Sequence, residues 1–167
     1  MTNNSLAFIA LCNEYCSAVE NCIAAEPRSF IGEMLRLLPR IYITASDIAS
    51  DVMVDGYLDQ SLSEEAYEEA RRKLAVVIGK DDTYLEVFEE DMKYSDTPIA
   101  AFVSEGLADL FQVFYNFLET VREAPEEIAE MALSAVKEDF ADYWSQTLCN
   151  LLRPLNNIYY NSTDPDD

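Results

Sequence analysis

The side chains best suited to chemistry in this sequence are carboxylates, because the chain contains 32 Asp and Glu residues and no histidine. Glu86 and Glu89 lie three positions apart, and Glu105 and Asp109 lie four apart, so each pair shares one face of a helix. Two such pairs on facing helices can hold a hard cation such as Mg²⁺ and bridge it to phosphate oxygens. One hypothesis is therefore a magnesium-dependent phosphohydrolase with these four carboxylates as its metal ligands.

A solvated helix surface explains the same acids without any metal. With 32 acids among 167 residues, spacings of three and four arise by coincidence, and Asp47, Asp51, Asp55 and Asp59 form a second such series. The region around the first pair is also nearly devoid of the basic residues that a nucleotide enzyme needs near its phosphates. We therefore favour a protein without catalytic residues or a resident cofactor, and expect Mg²⁺ only under the hydrolase hypothesis.

Several common chemistries are excluded by residue types that the chain lacks. Without histidine there is no His-based triad and no His-ligated zinc. The four glycines are too few and too scattered for a phosphate-binding loop. Cys12 and Cys16, with Cys22 near the same face, could be soft-metal ligands or a redox pair. Because no Cys-x-x-Cys is present, we favour reduced, mostly buried thiols for these three and Cys149.

The net charge of −21, from 32 acids against 11 Lys and Arg, is the strongest signal about partners. A surface of this sign repels nucleic-acid phosphates and anionic membranes, so neither is expected to bind directly. It attracts a basic protein, a polyamine or divalent cations. Solubility alone is the simpler explanation for such a charge.

Aromatic residues surrounded by acids are suited to capture of a Lys or Arg side chain. We therefore predict a non-enzymatic interaction module that binds a basic protein through a surface within residues 81–98. The residues predicted to contact the partner are Asp81, Asp82, Tyr84, Glu90, Asp91, Tyr94 and Asp96. A third hypothesis is a nucleic-acid mimic, which would occupy the basic groove of a nucleic-acid-binding protein.

Apolar residues recur at steps of three and four along the whole chain, which predicts an all-α fold. We expect one domain over residues 1–167, with 161–167 a frayed acidic tail. Adjacent helices on short loops pack antiparallel, so the expected architecture is a bundle of about five long helices plus one or two short ones. No apolar run reaches the ~20 residues of a membrane span, and no signal peptide is evident, so we expect a cytoplasmic protein.

The breakers place the expected helix boundaries. The pattern predicts helices over 4–25 and 29–48, the second kinked or split near Arg36 by Pro39. A third helix follows a Ser61 or Ser63 cap and stops at Gly79; its end, 76–78, is locally strand-like but is assigned to the helix.

The second half of the chain contains the most apolar segments. A short helix is predicted over 81–92, followed by a long helix over 98–121 whose wide apolar face indicates a central position. A last helix is predicted over 125–154, where Pro154 kinks or ends it. The large aromatics expected in the core are Phe114, Phe117, Phe140 and Trp144.

Several motifs in this half are similar to those of a known family. They are Asp82-Thr-Tyr-Leu-Glu-Val-Phe88, Tyr94-Ser-Asp-Thr-Pro98, Ser104-Glu-Gly-Leu-Ala-Asp109 and Trp144-x-x-x-Leu148-x-x-x-Leu152-Arg153. Together they resemble the bacterial domain-of-unknown-function family 5063, over most of the chain from the second helix to Pro154. The resemblance implies a short all-helical protein without an assigned activity, and it transfers no catalytic role to any residue.

The charge also predicts how stability responds to salt. Crowded carboxylates repel one another, so their mean pKa in the folded state should lie above that of the unfolded chain. Stability is then lost as the pH rises from the mean pKa of the unfolded chain through that of the folded state. The repulsion between the ionised carboxylates persists at pH 7. Salt screens it, so we expect the melting temperature at pH 7 to rise between about 0.02 and 0.5 M NaCl. Thermal melts followed by circular dichroism measure this, and a melting temperature that ignores salt would contradict it.

Overall fold

The computed structural model describes residues 1–49, 58–86 and 99–161. Their elements are α1 (Asn3–Glu20), α2 (Pro27–Ser46), α3 (Glu64–Ile78), β1 (Thr83–Leu85), β2 (Ala100–Phe102), α4 (Val103–Val121), α5 (Glu126–Asp139) and α6 (Ser145–Asn161). A π-helical segment, Phe140–Trp144, joins α5 to α6, and 3₁₀ turns follow α1 and α3. The predicted all-α fold is confirmed. Of the expected tail, Asn161 is the last residue of α6, and the rest lies outside the described residues.

Helix α4 is the centre of the fold, as its wide apolar face predicted. It packs against α1, α3, α5 and α6, and its Leu107, Leu110 and Phe114 are fully buried. The indole of Trp144 packs edge-on against Phe114, with ring centroids 5.2 Å apart. All four aromatics expected in the core are buried, so one continuous apolar interior holds the helices together.

Proline interrupts the helices less than its chemistry alone predicts. Helix α2 begins at Pro27, with Glu26 rather than Ser29 at its N-cap, and continues past Pro39 to Ser46 without a break. Helix α6 likewise continues past Pro154 to Asn161. The predicted split of the second helix and the alternative of an end at Pro154 are therefore wrong. Proline costs a helix interior about 3 kcal/mol, and the burial of the flanking apolar face of each helix offsets it.

Helix α3 follows its sequence signals closely. The Ala66 N–H donates to the Ser63 hydroxyl at 3.1 Å, so Ser63 and not Ser61 is the cap. Gly79 closes the helix with φ +70°, a conformation that other residues rarely adopt. Residues 76–78 are helical as predicted.

The region before α4 departs from the prediction. Strands β1 and β2 pair antiparallel with Tyr84 opposite Ala101, so the predicted helix over 81–92 is wrong for Thr83–Leu85, and 86–92 lie largely outside the described residues. Helix α4 begins at Val103 and not at Pro98, because the preceding residues belong to β2. The two strands are separated by 14 residues, and a periodicity within one segment carries no information on such a partner.

The cysteines are predominantly buried, as expected from the sequence. All four cysteines are free thiols; Cys12, Cys16 and Cys22 are buried and Cys149 is exposed. Burial raises the pKa of the Cys16 thiol to about 12, so this side chain stays a thiol and is unreactive. Within the described ranges, no helix combines the length and apolarity that crossing a bilayer requires.

A single buried amide holds the segment before α3 against the core. The Asn116 side chain, only 8% exposed on α4, accepts hydrogen bonds from the backbone N–H groups of Ser61 and Leu62, both at 2.9 Å. Two donors that leave water on folding are thus satisfied by one oxygen.

Replacing this amide should destabilise the protein. Asn116→Ala leaves the two N–H groups without their acceptor. Each N–H group that is not hydrated in the variant costs about 1–3 kcal/mol of stability. We expect the free energy of unfolding to fall by about 2 kcal/mol in urea titrations. The control Asn13→Ala, on the exposed face of α1, should stay within about 0.5 kcal/mol of wild type. An equal change in the free energy of unfolding for both variants would show that the Asn116 hydrogen bonds do not stabilise the fold.

Candidate functional site

A cleft of about 370 Å³ opens where the β1–β2 sheet meets α4 and the start of α6. We call it the acidic cleft. It is lined by Tyr84, Glu86, Ile99, Ala101, Phe102, Glu105, Gly106, Asp109, Asp142, Tyr143, Gln146, Thr147 and Asn150. Every charged residue in this lining is an acid, and two tyrosines stand among them.

The close approach of α4 and α6 forms one wall of the cleft. A Cβ atom added to Gly106 would lie 2.8 Å from Cδ2 of Leu151, which is fully buried. A side chain at position 106 would therefore have to displace the Leu151 side chain, which is packed in the core. Glycine lets Glu105 and Asp109 on α4 face the cleft beside Asn150 of α6.

The π-helical segment supplies the opposite acid. Its wider turn inserts one extra residue between α5 and α6, and such insertions often occur at functional sites. The segment contains Asp142 and Tyr143, both exposed and both lining the cleft. It is held in place by Trp144, whose buried indole N–H donates to the Val136 carbonyl at 3.1 Å.

The sheet is fastened to α4 by Asp82. One carboxylate oxygen accepts from the Ser104 N–H and the other from the Ser104 hydroxyl, each at 2.7 Å. The Val103 N–H donates to the Asp82 carbonyl at 2.8 Å. A carboxylate at this helix N-terminus satisfies an unpaired donor and complements the helix dipole.

Side chains of α6 hold the sheet from the other side. The Arg153 guanidinium donates to the Leu85 carbonyl and lies 5.8 Å from the centre of the Tyr84 ring. Next to it, the Asn150 amide donates to Oε1 of Glu86 at 2.7 Å. The end of β1 is therefore fixed as one wall of the cleft.

Glu86 is the most buried acid of the cleft lining. Only 7% of the residue is exposed, and its backbone N–H donates to the Ile99 carbonyl at 2.7 Å. Its Oε2 atom is shielded from solvent and has no hydrogen-bond partner among the described residues. A buried carboxylate oxygen without a donor is costly and requires an explanation.

Asp109 is half-buried and is held by a neutral donor. The Tyr67 hydroxyl donates to its Oδ1 at 2.5 Å. Burial raises the pKa of Asp109 above its usual value; the bond from Tyr67 opposes this shift, and the Glu105 carboxylate adds to it. Burial also raises the pKa of Tyr143, with the Asp109 charge contributing and a bond with Thr147 opposing. Negative charge is thus concentrated in this part of the cleft.

The structure brings together three of the four predicted metal ligands, since Glu86, Glu105 and Asp109 all line the acidic cleft. Glu89 lies outside the described residues. Over the described ranges, no three His, Cys, Asp or Glu side chains are grouped closely enough to hold a metal ion. The magnesium hypothesis therefore stays a prediction. Of the second acidic series, Asp47 and Asp59 are exposed, and the other two members lie outside the description.

The predicted partner-binding surface is only partly described. Asp82 caps α4, Tyr84 lines the cleft and Asp81 is half-buried in the 3₁₀ turn after α3. The remaining four predicted contacts, Glu90, Asp91, Tyr94 and Asp96, lie outside the described residues. Sequence reasoning did not select Asp142, Tyr143 or Asn150, because they come from a segment more than 50 residues away that joins Glu86 only by folding.

The chain is thus an all-helical domain with an acidic cleft beside a small sheet, and comparison with known proteins places it in a family. Residues 1–161 match the domain of unknown function DUF5063, and the chain belongs to that family. It is similar to protein BF1032 from Bacteroides fragilis, whose crystal structure superposes with a TM-score of 0.82 at 25% identity, over 97% of this chain and 96% of that one. No curated protein matches the chain.

The raised pKa of Asp109 gives a testable pH dependence. A carboxyl with a raised folded pKa contributes stability that is present below its unfolded pKa of about 3.9 and lost as the pH rises through the folded pKa. Asp109→Asn keeps an acceptor for Tyr67 and removes this loss. We expect the variant to gain stability relative to wild type as the pH rises from about 3.5 to 7, measured by urea unfolding.

The matched control is Asp59→Asn, which makes the same charge change at an exposed position. The difference in the free energy of unfolding between Asp59→Asn and wild type should change less across the same pH range. A parallel pH response of the two variants would show that the environment of Asp109 is not special.

Proposed function

We propose that this protein is a non-enzymatic binding module that captures a basic segment of a partner protein in the acidic cleft. One observation carries the proposal: Glu86, Glu105, Asp109 and Asp142 line a single cleft, whose described lining contains no Lys or Arg. In a chain with 11 basic residues in total, none of these four acids forms an ion pair within the described residues. A cationic ligand supplies their counter-charges.

The shape of the cleft concentrates this charge. Carboxylates on the walls of a concave site with low-dielectric surroundings focus the field and raise the local concentration of cations. Glu105 and Asp142 are exposed at the rim, where charges mainly steer association. Tyr143, which is exposed in the cleft lining, offers a ring face on which a Lys or Arg side chain can rest.

The proposed binding surface differs in position from the one predicted from the sequence, but both consist of acids and tyrosines. The expected contacts lay on one stretch of sequence, whereas the cleft combines Tyr84 and Glu86 with residues of α4, the π segment and α6. Because the buried cysteines are free thiols, we further propose that the interaction takes place in a reducing compartment, the cytoplasm.

The magnesium-dependent hydrolase is retained as a second candidate because three of its predicted ligands share the cleft. It differs from the first in its response to Mg²⁺. Calorimetric titration with MgCl₂ that shows saturable binding, lost in Glu105→Gln, supports the hydrolase; the absence of binding removes it. The nucleic-acid mimic stays a prediction without further support.

A titration with a basic peptide tests the first proposal. The probe is a hexapeptide of alternating lysine and arginine. Its binding is measured by isothermal titration calorimetry at low and at moderate salt. We expect the double variant Glu105→Gln/Asp142→Asn to bind about tenfold more weakly than wild type. Salt should weaken binding to wild type, because it screens exposed charges.

The control double variant is Glu14→Gln/Asp47→Asn, which removes the same two charges from exposed positions on α1 and after α2. Its affinity for the peptide should fall by about twofold at most, since only the net charge of the protein changes. Equal losses in the two double variants would place binding on the general surface charge and contradict the cleft.

A further inference from the structure

The unpartnered oxygen of Glu86 indicates which cation the acidic cleft selects. The carboxylate belongs to the most buried acid of the cleft lining, with Oε1 bound by the Asn150 amide at 2.7 Å and Oε2 without a partner in the described part of the chain. No described Lys or Arg forms an ion pair with it. Arg153, on the same helix as Asn150, is engaged with the Leu85 carbonyl instead.

A buried carboxylate in this state has one hydrogen bond from a neutral donor and no counter-charge. Burial of an ionised carboxylate is costly unless it is paired and hydrogen-bonded. A ligand cation at Glu86 would supply both the missing donor and the missing charge.

The number of free oxygens distinguishes the two basic side chains. A guanidinium is a planar fork that binds best to both oxygens of one carboxylate. In the inner part of the cleft each acid already uses one oxygen: Glu86 on Asn150 and Asp109 on Tyr67. An ammonium is a compact charge with three donors, which can be shared among single oxygens of separate side chains.

The remaining lining suits the rest of such a ligand. Ile99 and Phe102 provide apolar surface, and Tyr143 provides an aromatic one. A lysine side chain can bury its methylene stem along such surfaces while its charged end reaches a carboxylate. The volume of about 370 Å³ lies at the small end of ligand sites, which fits one alkyl-ammonium chain.

We propose that Glu86 anchors a primary ammonium group in the acidic cleft, from a lysine side chain or a free polyamine, in preference to a guanidinium. This inference rests on the proposed function and specifies its ligand. Asn150 is a positioning residue, because it holds one carboxylate oxygen and leaves the other for the ligand.

The test is an NMR titration of the full chain with three probes: capped lysine amide, capped arginine amide and putrescine. Amide shifts and the ¹³Cδ resonance of Glu86 are followed in wild type. We expect saturable shifts at the cleft with lysine or putrescine, and binding about threefold or more tighter than with arginine. Tighter binding of lysine points to a protein partner, and tighter binding of putrescine to a free polyamine; both support the ammonium.

A matched pair of variants tests the anchor. Glu86→Gln keeps an oxygen for Asn150 and removes the charge, and it should weaken ammonium binding about fivefold or more. Glu14→Gln makes the same change on an exposed face of α1 and should leave binding within about twofold. If Glu86→Gln does not fold, the Glu86 ¹³Cδ shift in wild type decides the matter.

Other outcomes overturn the inference. Arginine binding as tightly as lysine, unchanged binding in Glu86→Gln, or an unmoved ¹³Cδ resonance would refute the Glu86 anchor and leave the cleft as a general cation site. Saturation by MgCl₂ without any response to the amines would replace the ammonium with a metal. Absence of cleft shifts with all three organic cations would refute the proposed function as well.

Discussion

The close contact of α4 with α6 at Gly106 is the constraint on which the rest of the structure depends. A Cβ there would meet Cδ2 of Leu151 at 2.8 Å, so the absence of a side chain at position 106 makes room for the buried Leu151 side chain at this contact. Leu107 of α4 and Leu151 of α6 are both fully buried. The contact also sets the distance between the acids of α4 and the amide of α6, so packing and the candidate site share one cause.

The acidic cleft shows how a chain with few basic residues accommodates carboxylates that leave water. The two inner acids are held by neutral donors, Asn150 on Glu86 and Tyr67 on Asp109. Neutral donors satisfy oxygens without cancelling charge. A basic partner within the chain would have stabilised each acid and removed the field of the cleft. The charge of the inner acids therefore remains available to the cationic ligand that we propose, whereas the outer acids, Glu105 and Asp142, are exposed.

Some residues chosen for their chemistry turn out to hold the fold. Asp82 looked like part of a recognition surface, but both its oxygens are occupied at the start of α4. Asn116 gave no sequence signal and yet holds the segment before α3 through two backbone donors. A polar side chain in a one-dimensional pattern does not show whether its partner will be water or a distant backbone group.

The sequence alone determined the helical class, the central position of α4, the buried aromatics and the acidity of any site, because apolar spacing and charge are local properties. The same pattern also placed three of the cleft's acids among its candidates. Only the tertiary structure decided that Thr83–Leu85 pairs with Ala100–Phe102, that Asp142 completes the cleft, and that one oxygen of Glu86 is left without a donor. These features join residues far apart in the chain, and their partners exist only once packing has set the distances between helices.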